Sequence, residues 1–451
     1  MLREAIEVYH DLLSDHQVAL ETDGEMRSRL RAMGLYFGDR PICTVLRPHF
    51  YFTDQWAYLK RETETLLGAF ARAHEACLHR ADLRAQLALE AWEEQLFSLD
   101  IGGVVPWTSS RLDSFFRADD LKLQFVEYNA ETPAGMGYGD VLVDMFNGLQ
   151  PMKRFGQKYR VHPMPMLKDL LGSLLSAYKE WGGKASPTIA IMDWGDVPTL
   201  NEHEFSRRFF ESEGVKAFLV DPRAVEYRDG GLYAGDRRID MIYKRVLISE
   251  LIQRMGIDNP IVRAVRDRVV LMTNSFSCKL MAKKASFAFL SDERNATLFT
   301  AEQRVAIEQH IPWTRIVTER FTEYQGRQVD MLALLTDYQD RFVLKPNDEY
   351  GGKGVSLGWE TSGADWQTAI REALSEPFVV QERVPSITRP FPSVINGTLD
   401  ISPRFVDADP YIFSGRTVYG CLTRLSSVEL LNVTAGGGSV VPTYLLERKE
   451  S

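Results

Sequence analysis

The sequence predicts a mixed fold of the α/β and α+β classes, and three observations lead to it. Apolar residues recur every three or four positions over most of residues 1–100, which predicts a helical N-terminal region. Residues 188–246 alternate short apolar runs with a helical stretch, which predicts a βαβ unit in a compact α/β domain. Residues 271–451 contain strand-like runs around a glycine loop, which predicts antiparallel pairing.

Composition excludes several classes of protein. The 451 residues are 45% hydrophobic and 25% charged, as in globular proteins and unlike disordered or fibrous chains. A net charge of −9 and the lack of a long Lys/Arg run argue against nucleic-acid binding. No run approaches the roughly 20 apolar residues of a membrane span, and the N-terminus lacks the pattern of a secretory signal. The four cysteines follow no CxxC spacing, so we expect a reduced, cytoplasmic protein, and a homodimer from base rates.

The elements follow in order along the chain. Between Ser109 and Asn129 two extended segments flank the polar turn at 118–120, which predicts a β-hairpin within residues 101–185. The glycines of 135–139 predict a flexible connection. TIAIMDW, HEFSRRFFESEG and VKAFLVD predict strand, helix and strand, followed by a hairpin near 229–231 and the strand DMIYKRV. KKASFAFLSDE begins a helix, and residues 271–451 hold strands RFVLK, VSLGW and FVVQERV with the helix ADWQTAIREAL.

The predicted hairpin carries the first candidate site. Side chains alternate across a strand, so Arg111 and Asp113 share one face, as do Glu127 and Asn129. With the turn centred near residue 120, Asp113 lies opposite Glu127 and Arg111 opposite Asn129. Two carboxylates and an amide oxygen are ligands that Mg²⁺ accepts, and an arginine beside them stabilises negative charge. The alternative interpretation is a solvated hairpin face with ordinary cross-strand ion pairs.

A glycine loop at 342–357, FVLKPNDEYGGKGVSL, is the second candidate. Lys345 ends an apolar strand, and Gly351, Gly352 and Gly354 allow the backbone to approach an anion closely. The loop is not a Walker motif, because Lys353 is followed by glycine and a strand rather than by Ser or Thr and a helix. The alternative interpretation is a plain glycine hairpin turn.

Three further segments gain meaning only in combination. FVVQERV, 378–384, ends an apolar strand with polar groups that suit an adenine edge, but a strand end is the simpler interpretation. Lys284 would by default be a surface helix lysine. The tail with Asn432 and glycines 436–438 would be a loop.

Together these motifs resemble the circularly permuted branch of the ATP-grasp superfamily, which includes glutathionylspermidine synthase. The resemblance covers about 105–445 and rests on motif order, since R-L-D and E-Y-N-A-E-T-P precede the segment KKASFAFL, the loop KPNDEYGGKG and QERV. It implies an ATP-grasp fold with a central Rossmann-like, pre-ATP-grasp domain. The implied boundaries are 1–100, 101–185, 186–270 and 271–451, the last containing the nucleotide-binding subdomains.

The resemblance also implies a role for each matching residue. Arg111 matches the catalytic arginine, and Mg²⁺ would be held by Asp113, Glu127 and Asn129. Arg424 and Asn432 match positions near phosphate or substrate, and the neighbours Lys279 and Lys283 leave the choice of Lys284 open. The residues implied to bind ATP are Lys284, Lys345, Tyr350, Gly351, Gly352, Lys353, Gly354, Gln381, Glu382, Arg383 and Val384.

The activity implied is ATP- and Mg²⁺-dependent ligation of a carboxylate to an amine, through an acylphosphate, on small-molecule or peptide substrates. The chain departs from glutathionylspermidine synthase because it has no amidase region and has a different glycine loop, so glutathione and polyamine are not carried over. Two alternatives stay open: a kinase of the same fold, and a non-enzymatic nucleotide-binding or scaffold protein.

Overall fold

A computed structural model describes residues 1–99, 104–349, 351–428 and 438–449. Helices alternate with strands from the first residues to about 375, after which the described chain is strand. The helices are α1 (Leu2–Asp11), α2 (His16–Ala32), α3 (Thr53–His79), α4 (Ala81–Arg84), α5 (Ala91–Leu96), α6 (Met136–Gly148), α7 (Gln150–Lys158), α8 (Leu167–Trp181), α9 (Leu200–Ser212), α10 (Ile248–Met255), α11 (Pro260–Arg266), α12 (Lys279–Ala282), α13 (Ala285–Ser291), α14 (Ala301–His310), α15 (Met331–Asp337) and α16 (Gly363–Ser375).

The strands form several separate sheets. They are β1 (Tyr36–Phe37), β2 (Arg40–Pro41), β3 (His49–Phe52), β4 (Ser109–Arg117), β5 (Lys122–Asn129), β6 (Tyr159–Pro163), β7 (Ile189–Met192), β8 (Ala217–Val220), β9 (Glu226–Arg228), β10 (Gly231–Ala234), β11 (Arg237–Ile239), β12 (Met241–Lys244), β13 (Leu271–Thr273), β14 (Thr314–Ile316), β15 (Phe321–Tyr324), β16 (Arg327–Asp330), β17 (Phe342–Pro346), β18 (Ser356–Leu357), β19 (Phe378–Glu382), β20 (Ile387–Ile395), β21 (Thr398–Val406), β22 (Asp409–Phe413), β23 (Thr417–Ser426) and β24 (Ser439–Arg448).

A four-stranded parallel sheet, β13-β12-β7-β8, forms the Rossmann-like unit. Strands β7 and β12 are buried at every position, as expected for a sheet covered on both faces. The predicted βαβ unit is present as β7, α9 and β8, and the hairpin predicted near 229–231 is β9–β10. Asp193 and Arg245 follow the carboxyl ends of β7 and β12, where open α/β sheets place their ligand sites.

A large antiparallel sheet joins the two ends of the chain. Its strand order is β20-β21-β23-β22-β4-β5, and β24 pairs with β23 as well as with β3 and β6. The hairpin β4–β5 therefore lies beside β22, with Arg111 directly opposite Tyr411. Residues separated by about 300 positions become neighbours on one sheet.

A smaller antiparallel sheet, β14-β19-β17-β18, carries the glycine loop and the strand that ends in QERV. It packs with α15 and α16 around its own core, which includes Trp366, Leu335 and Phe342. Strand β18 has only two residues, so the predicted strand VSLGW is mostly wrong. Ser356 and Leu357 pair with β17, while Trp359 and its neighbours leave the ladder.

Two expectations for the first 140 residues need correction. The N-terminal region is mostly helical as predicted, but His49–Phe52 is a strand that pairs in parallel with β24. Residues 136–139 are the first turn of α6 rather than a flexible connection. Gly135 precedes this helix at φ 109°, where a Cβ atom would come within 2.6 Å of the Tyr411 hydroxyl. The glycine is thus required by close packing and left-handed backbone rather than by flexibility.

Candidate active site

The hairpin has the register that the sequence predicted. Asp113 pairs with Glu127 and Arg111 with Asn129, with a bulge following Asp113. Arg111 and Asp113 are buried rather than solvated, which excludes the interpretation of an exposed hairpin face. All four side chains line one cavity of about 420 Å³.

Two arginines bind the carboxylate of Asp113, Arg111 from the same strand β4 and Arg424 from β23. Arg111 Nε donates to its Oδ1 at 2.7 Å, and Arg424 Nη2 donates to its Oδ2 at 2.7 Å. Burial would raise the pKa of Asp113, but the two guanidinium groups hold it below the ordinary value. Arg424 also binds Asp407 through Nε at 2.6 Å and lies 3.1 Å from Asp409. The wall of the cavity is therefore a buried network of three acids and two arginines.

Lys284 and Lys345 also line this cavity. Lys284 Nζ lies 2.9 Å from Glu127 Oε1, and this contact holds the pKa of Glu127 below its ordinary value despite burial. Lys345 Nζ donates to Gln381 Oε1 at 2.7 Å. Burial lowers the pKa of Lys345 to about 8. Two partly buried cations thus face the acidic hairpin, an arrangement that suits an anionic ligand.

The three neighbouring lysines have different surroundings. Lys279 Nζ binds Glu131 at 3.1 Å and Asp348 at 2.7 Å, whereas Lys283 Nζ binds Glu93 at 2.8 Å. Of the three, Lys284 alone belongs to the described lining of the cavity. Of these lysines, Lys284 is therefore the one placed to meet a ligand in the cavity, while Lys279 and Lys283 form buried ion pairs.

Variants of these adjacent lysines separate the two roles. We expect Lys283→Met to lower the free energy of unfolding by about 3 kcal/mol, because it leaves Glu93 buried without its cation. Its affinity for Mg-ATP should stay near that of the wild type. Lys284→Met should weaken Mg-ATP binding by about 10-fold or more while costing less stability. Urea unfolding and calorimetric titration measure both quantities, and the reverse pattern would contradict the choice of Lys284.

The end of β19 lines the cavity, but several of its polar groups already form hydrogen bonds within the protein. Gln381 accepts from Lys345 and donates to Thr314 at 3.1 Å, and Glu382 accepts from the Tyr324 hydroxyl at 2.7 Å. The N–H groups of Glu382 and Arg383 donate to backbone carbonyls. Val343, Leu357 and Trp359 add apolar surface to the cavity lining here. An adenine ring would be enclosed mainly by apolar contact, with Gln381, Glu382, Arg383 and Val384 along one edge.

The glycine loop contributes only part of what the sequence predicted. Gly351 and Gly352 line the cavity. Lys353 is exposed and pairs with Glu349 at 3.0 Å, and neither it nor Gly354 belongs to the described lining. Tyr350 and Asn432 lie outside the described residues. The prediction that Lys353 and Gly354 contact ATP therefore has no support from the geometry.

Sequence reasoning missed other residues of the site. Asp407 and Asp409, which flank one alanine before an apolar run, were detectable as an acidic pair. Glu202, in the first turn of α9, carried no recognisable signal. Tyr138 of α6 lines the cavity as well, and Phe37 and Ile42 show that the N-terminal region contributes to it directly.

The chemistry of the donor set fits Mg²⁺. Asp113 and Glu127 offer carboxylates and Asn129 an amide oxygen, all on facing strand positions. Within the described residues no group of three His, Cys, Asp or Glu side chains has the geometry of a metal site. Arginine and lysine side chains neutralise the two acids instead. A small number of protein ligands is enough for Mg²⁺, because water and phosphate oxygens fill its other coordination positions.

Comparison with known proteins supports a ligase-like fold. No protein-family model matches the chain. It is 25% identical over 431 residues to "Putative glutamate--cysteine ligase 2-2" of Frankia casuarinae, and 26% identical over 431 residues to "Putative glutamate--cysteine ligase 2-3" of Frankia alni. The matches cover 89% of this chain and 46% of each relative, so the chain spans about half the length of the curated relatives it matches.

One solved structure shares the fold over nearly the whole chain. A glutathione synthetase-like effector from Globodera pallida, in its apo form, superposes with a TM-score of 0.61 at 11% identity, covering 96% of this chain and 98% of that one. The predicted mixed α/β fold is confirmed, and it is similar to the fold of that effector. The assignment to the ATP-grasp superfamily, the circular permutation, the likeness to glutathionylspermidine synthase and the domain boundaries stay predictions. In the described part of the chain, no helix has the length and hydrophobicity to cross a bilayer.

Proposed function

We propose that this protein is an ATP- and Mg²⁺-dependent carboxylate–amine ligase that forms an amide through an acylphosphate. The observation that carries the proposal is the 2.9 Å contact between Lys284 and Glu127. It joins the acidic hairpin to the lysines and the end of β19 across one cavity, although these segments are far apart in sequence. The contact also agrees with a permuted motif order, because the hairpin precedes both lysines along the chain and yet faces them in the cavity.

The residues divide the chemistry between them. Lys284 and Lys345 hold phosphate oxygens, and Arg111 stabilises the charge that develops on the substrate carboxyl group. Asp113, Glu127 and Asn129 would hold Mg²⁺, which supplies neutralisation of the triphosphate. A substrate carboxylate oxygen attacks the γ-phosphorus and ADP leaves. The neutral amine nitrogen then attacks the carbonyl carbon, phosphate leaves, and the proton that the nitrogen releases goes to the departing phosphate as the amide forms.

Amino acids or short peptides are the substrate class that we propose. The curated relatives are named as glutamate–cysteine ligases, and the structural neighbour is named as glutathione synthetase-like. These names describe those proteins, and the chain covers only about half of the curated relatives. They nevertheless support a search among amino-acid carboxylates and amines first.

Thermal denaturation tests the nucleotide site without knowledge of the substrate. Mg-ATP at millimolar concentration should raise the melting temperature of the purified protein by several degrees, because it binds only the folded state. ATP with EDTA should have a much smaller effect. No shift with Mg-ATP would contradict both the ligase and the kinase hypotheses and leave the scaffold hypothesis.

The products distinguish a ligase from a kinase. A panel of amino acids in pairs should produce ADP and an amide that mass spectrometry detects. Hydroxylamine, which traps an acylphosphate as a hydroxamate, should support ADP release with the correct carboxylate alone. A stable phosphorylated product without an amide would identify the protein as a kinase.

A further inference from the structure

Glu202 is a buried acid at the end of the cavity that the proposed mechanism does not use. Its side chain is 4% exposed and lines the cavity. Oε1 accepts from the N–H groups of Gly135, at 2.6 Å, and Gly137, at 3.3 Å. Oε2 is buried and accepts no hydrogen bond from any residue that the structure describes. A carboxylate oxygen left in this state calls for a ligand with a donor group.

The backbone places Glu202 close to Arg111. Arg111 Nη1 donates to the carbonyl of Ala134 at 2.9 Å, and the N–H of Gly135, in the same peptide unit, donates to Glu202. One peptide group therefore separates the guanidinium from the carboxylate, a path of at most about 8 Å. A substrate carbonyl group bound to Arg111 and an amine bound to Glu202 would therefore be neighbours in the cavity, and amide formation requires the amine nitrogen to come within about 3 to 3.5 Å of the carbonyl carbon.

The charge of Arg245 acts on Glu202, and much of the cavity lining is uncharged. Thr132 and Thr199 are polar members of that lining, and its apolar members include Phe37, Ile42, Tyr138, Leu422 and Val440. The rings of Phe37 and Tyr138 suit a cation as well as an aliphatic chain. Glu202 also lies in the helix that follows β7, beyond the carboxyl end of the parallel sheet.

We propose that Glu202 binds the ammonium group of the amine substrate, a primary amine with an apolar substituent. This inference rests on the proposed ligase function. Burial raises the pKa of Glu202 above its ordinary value, while Arg245 and the two backbone N–H groups oppose that rise. A bound ammonium supplies the hydrogen bond that Oε2 lacks, and transfer of one proton to this carboxylate leaves the neutral amine that attacks the carbonyl carbon. Arg111 would then define the carboxylate end of the reaction site and Glu202 the amine end.

A purely structural role is the competing explanation, and a matched residue tests it. Asp140 is a partly buried acid that also receives two backbone N–H groups at the start of a helix, from Met166 at 2.7 Å and Leu167 at 2.9 Å. It does not belong to the described lining of the cavity. Asp140→Asn and Glu202→Gln therefore make the same chemical change, one outside the cavity and one inside it.

The experiment measures amine binding to the full chain loaded with Mg²⁺ and a non-hydrolysable ATP analogue. The probes are butylamine, leucinamide and spermidine, with N-acetyl-leucinamide as a neutral counterpart of leucinamide. We expect at least one primary amine to bind the wild type and the Asp140→Asn variant equally. Its affinity for Glu202→Gln should fall by about 10-fold or more, and the neutral probe should bind neither.

Two readouts keep the inference apart from the proposed function. The shift in melting temperature caused by the ATP analogue should be the same in wild type and Glu202→Gln, since the nucleotide contacts are elsewhere. Absence of this shift in the wild type would contradict the ligase proposal itself. A normal shift, with no amine bound or with equal amine affinity in Glu202→Gln, would overturn only the assignment of Glu202.

Discussion

Asp113→Asn should abolish the thermal stabilisation by Mg-ATP and lower kcat/KM by at least about 100-fold. The substitution keeps the shape of the side chain but removes the charge that would bind Mg²⁺. It also leaves Arg111 and Arg424 without the carboxylate that orients both, at 2.7 Å each. One change thus affects the metal site and the arginine at the reacting carboxyl group.

A second buried acid between two arginines is the control for loss of stability. Asp292 accepts from Arg294 at 2.7 Å and from Arg320 at 2.8 Å, and it does not belong to the described lining of the cavity. Asp292→Asn should destabilise the fold to a similar degree, by up to about 3–5 kcal/mol. Mg-ATP should still raise the melting temperature of Asp292→Asn, starting from the lower melting temperature of this variant. Equal loss of the shift in both variants would assign Asp113 to the fold alone.

Lys345→Met should reduce the affinity for Mg-ATP by about 100-fold with little loss of stability. The pKa of Lys345 is lowered to about 8, mainly by burial, so the fold without ligand disfavours its charge. The substitution removes the free-energy cost of desolvating the lysine, and this gain offsets the loss of the hydrogen bond to Gln381. A bound triphosphate reverses the balance, because its negative charge favours the protonated amine.

Lys244 is the matched control for Lys345. It is a buried lysine at the end of β12, with Nζ donating to Val246 O at 3.3 Å, and it does not belong to the described lining of the cavity. Lys244→Met should leave Mg-ATP affinity close to that of the wild type. A large loss of affinity in this variant as well would show that any buried lysine supports the fold of the site.

The lowered pKa of Lys345 also predicts how the affinity for Mg-ATP depends on pH. As pH rises through about 8, Lys345 loses its proton in the unliganded protein. Binding of Mg-ATP then requires Lys345 to take up a proton, which costs more free energy as the pH increases. Affinity should therefore decline with increasing pH above that value. Lys345→Arg keeps its charge over this range and should show a flatter profile in calorimetric titrations from pH 7 to 9. Identical profiles would contradict a role for the charge of Lys345.

Local patterns in the sequence determined the parts of the site that lie close along the chain. The polar turn at 118–120 and the alternation of side chains predicted the β4–β5 hairpin with the correct pairing of Asp113 with Glu127. The βαβ unit and the strand ending at Lys345 were predicted from hydrophobic period in the same way. Such features depend on hydrogen bonds and turns between near neighbours, which a short stretch of sequence can specify.

Only the tertiary structure decided which distant residues complete the site. Arg424 reaches Asp113 from 311 positions away, and Glu202 reaches Gly135 from 67, and neither contact has a local signal. The choice of Lys284 over Lys283 also depended on packing. Lys283 forms an ion pair with Glu93, whereas Lys284 lines the cavity and contacts Glu127. Burial and pairing of charges are properties of the assembled core, since the free energy of a charge is set by its whole surroundings rather than by its sequence neighbours.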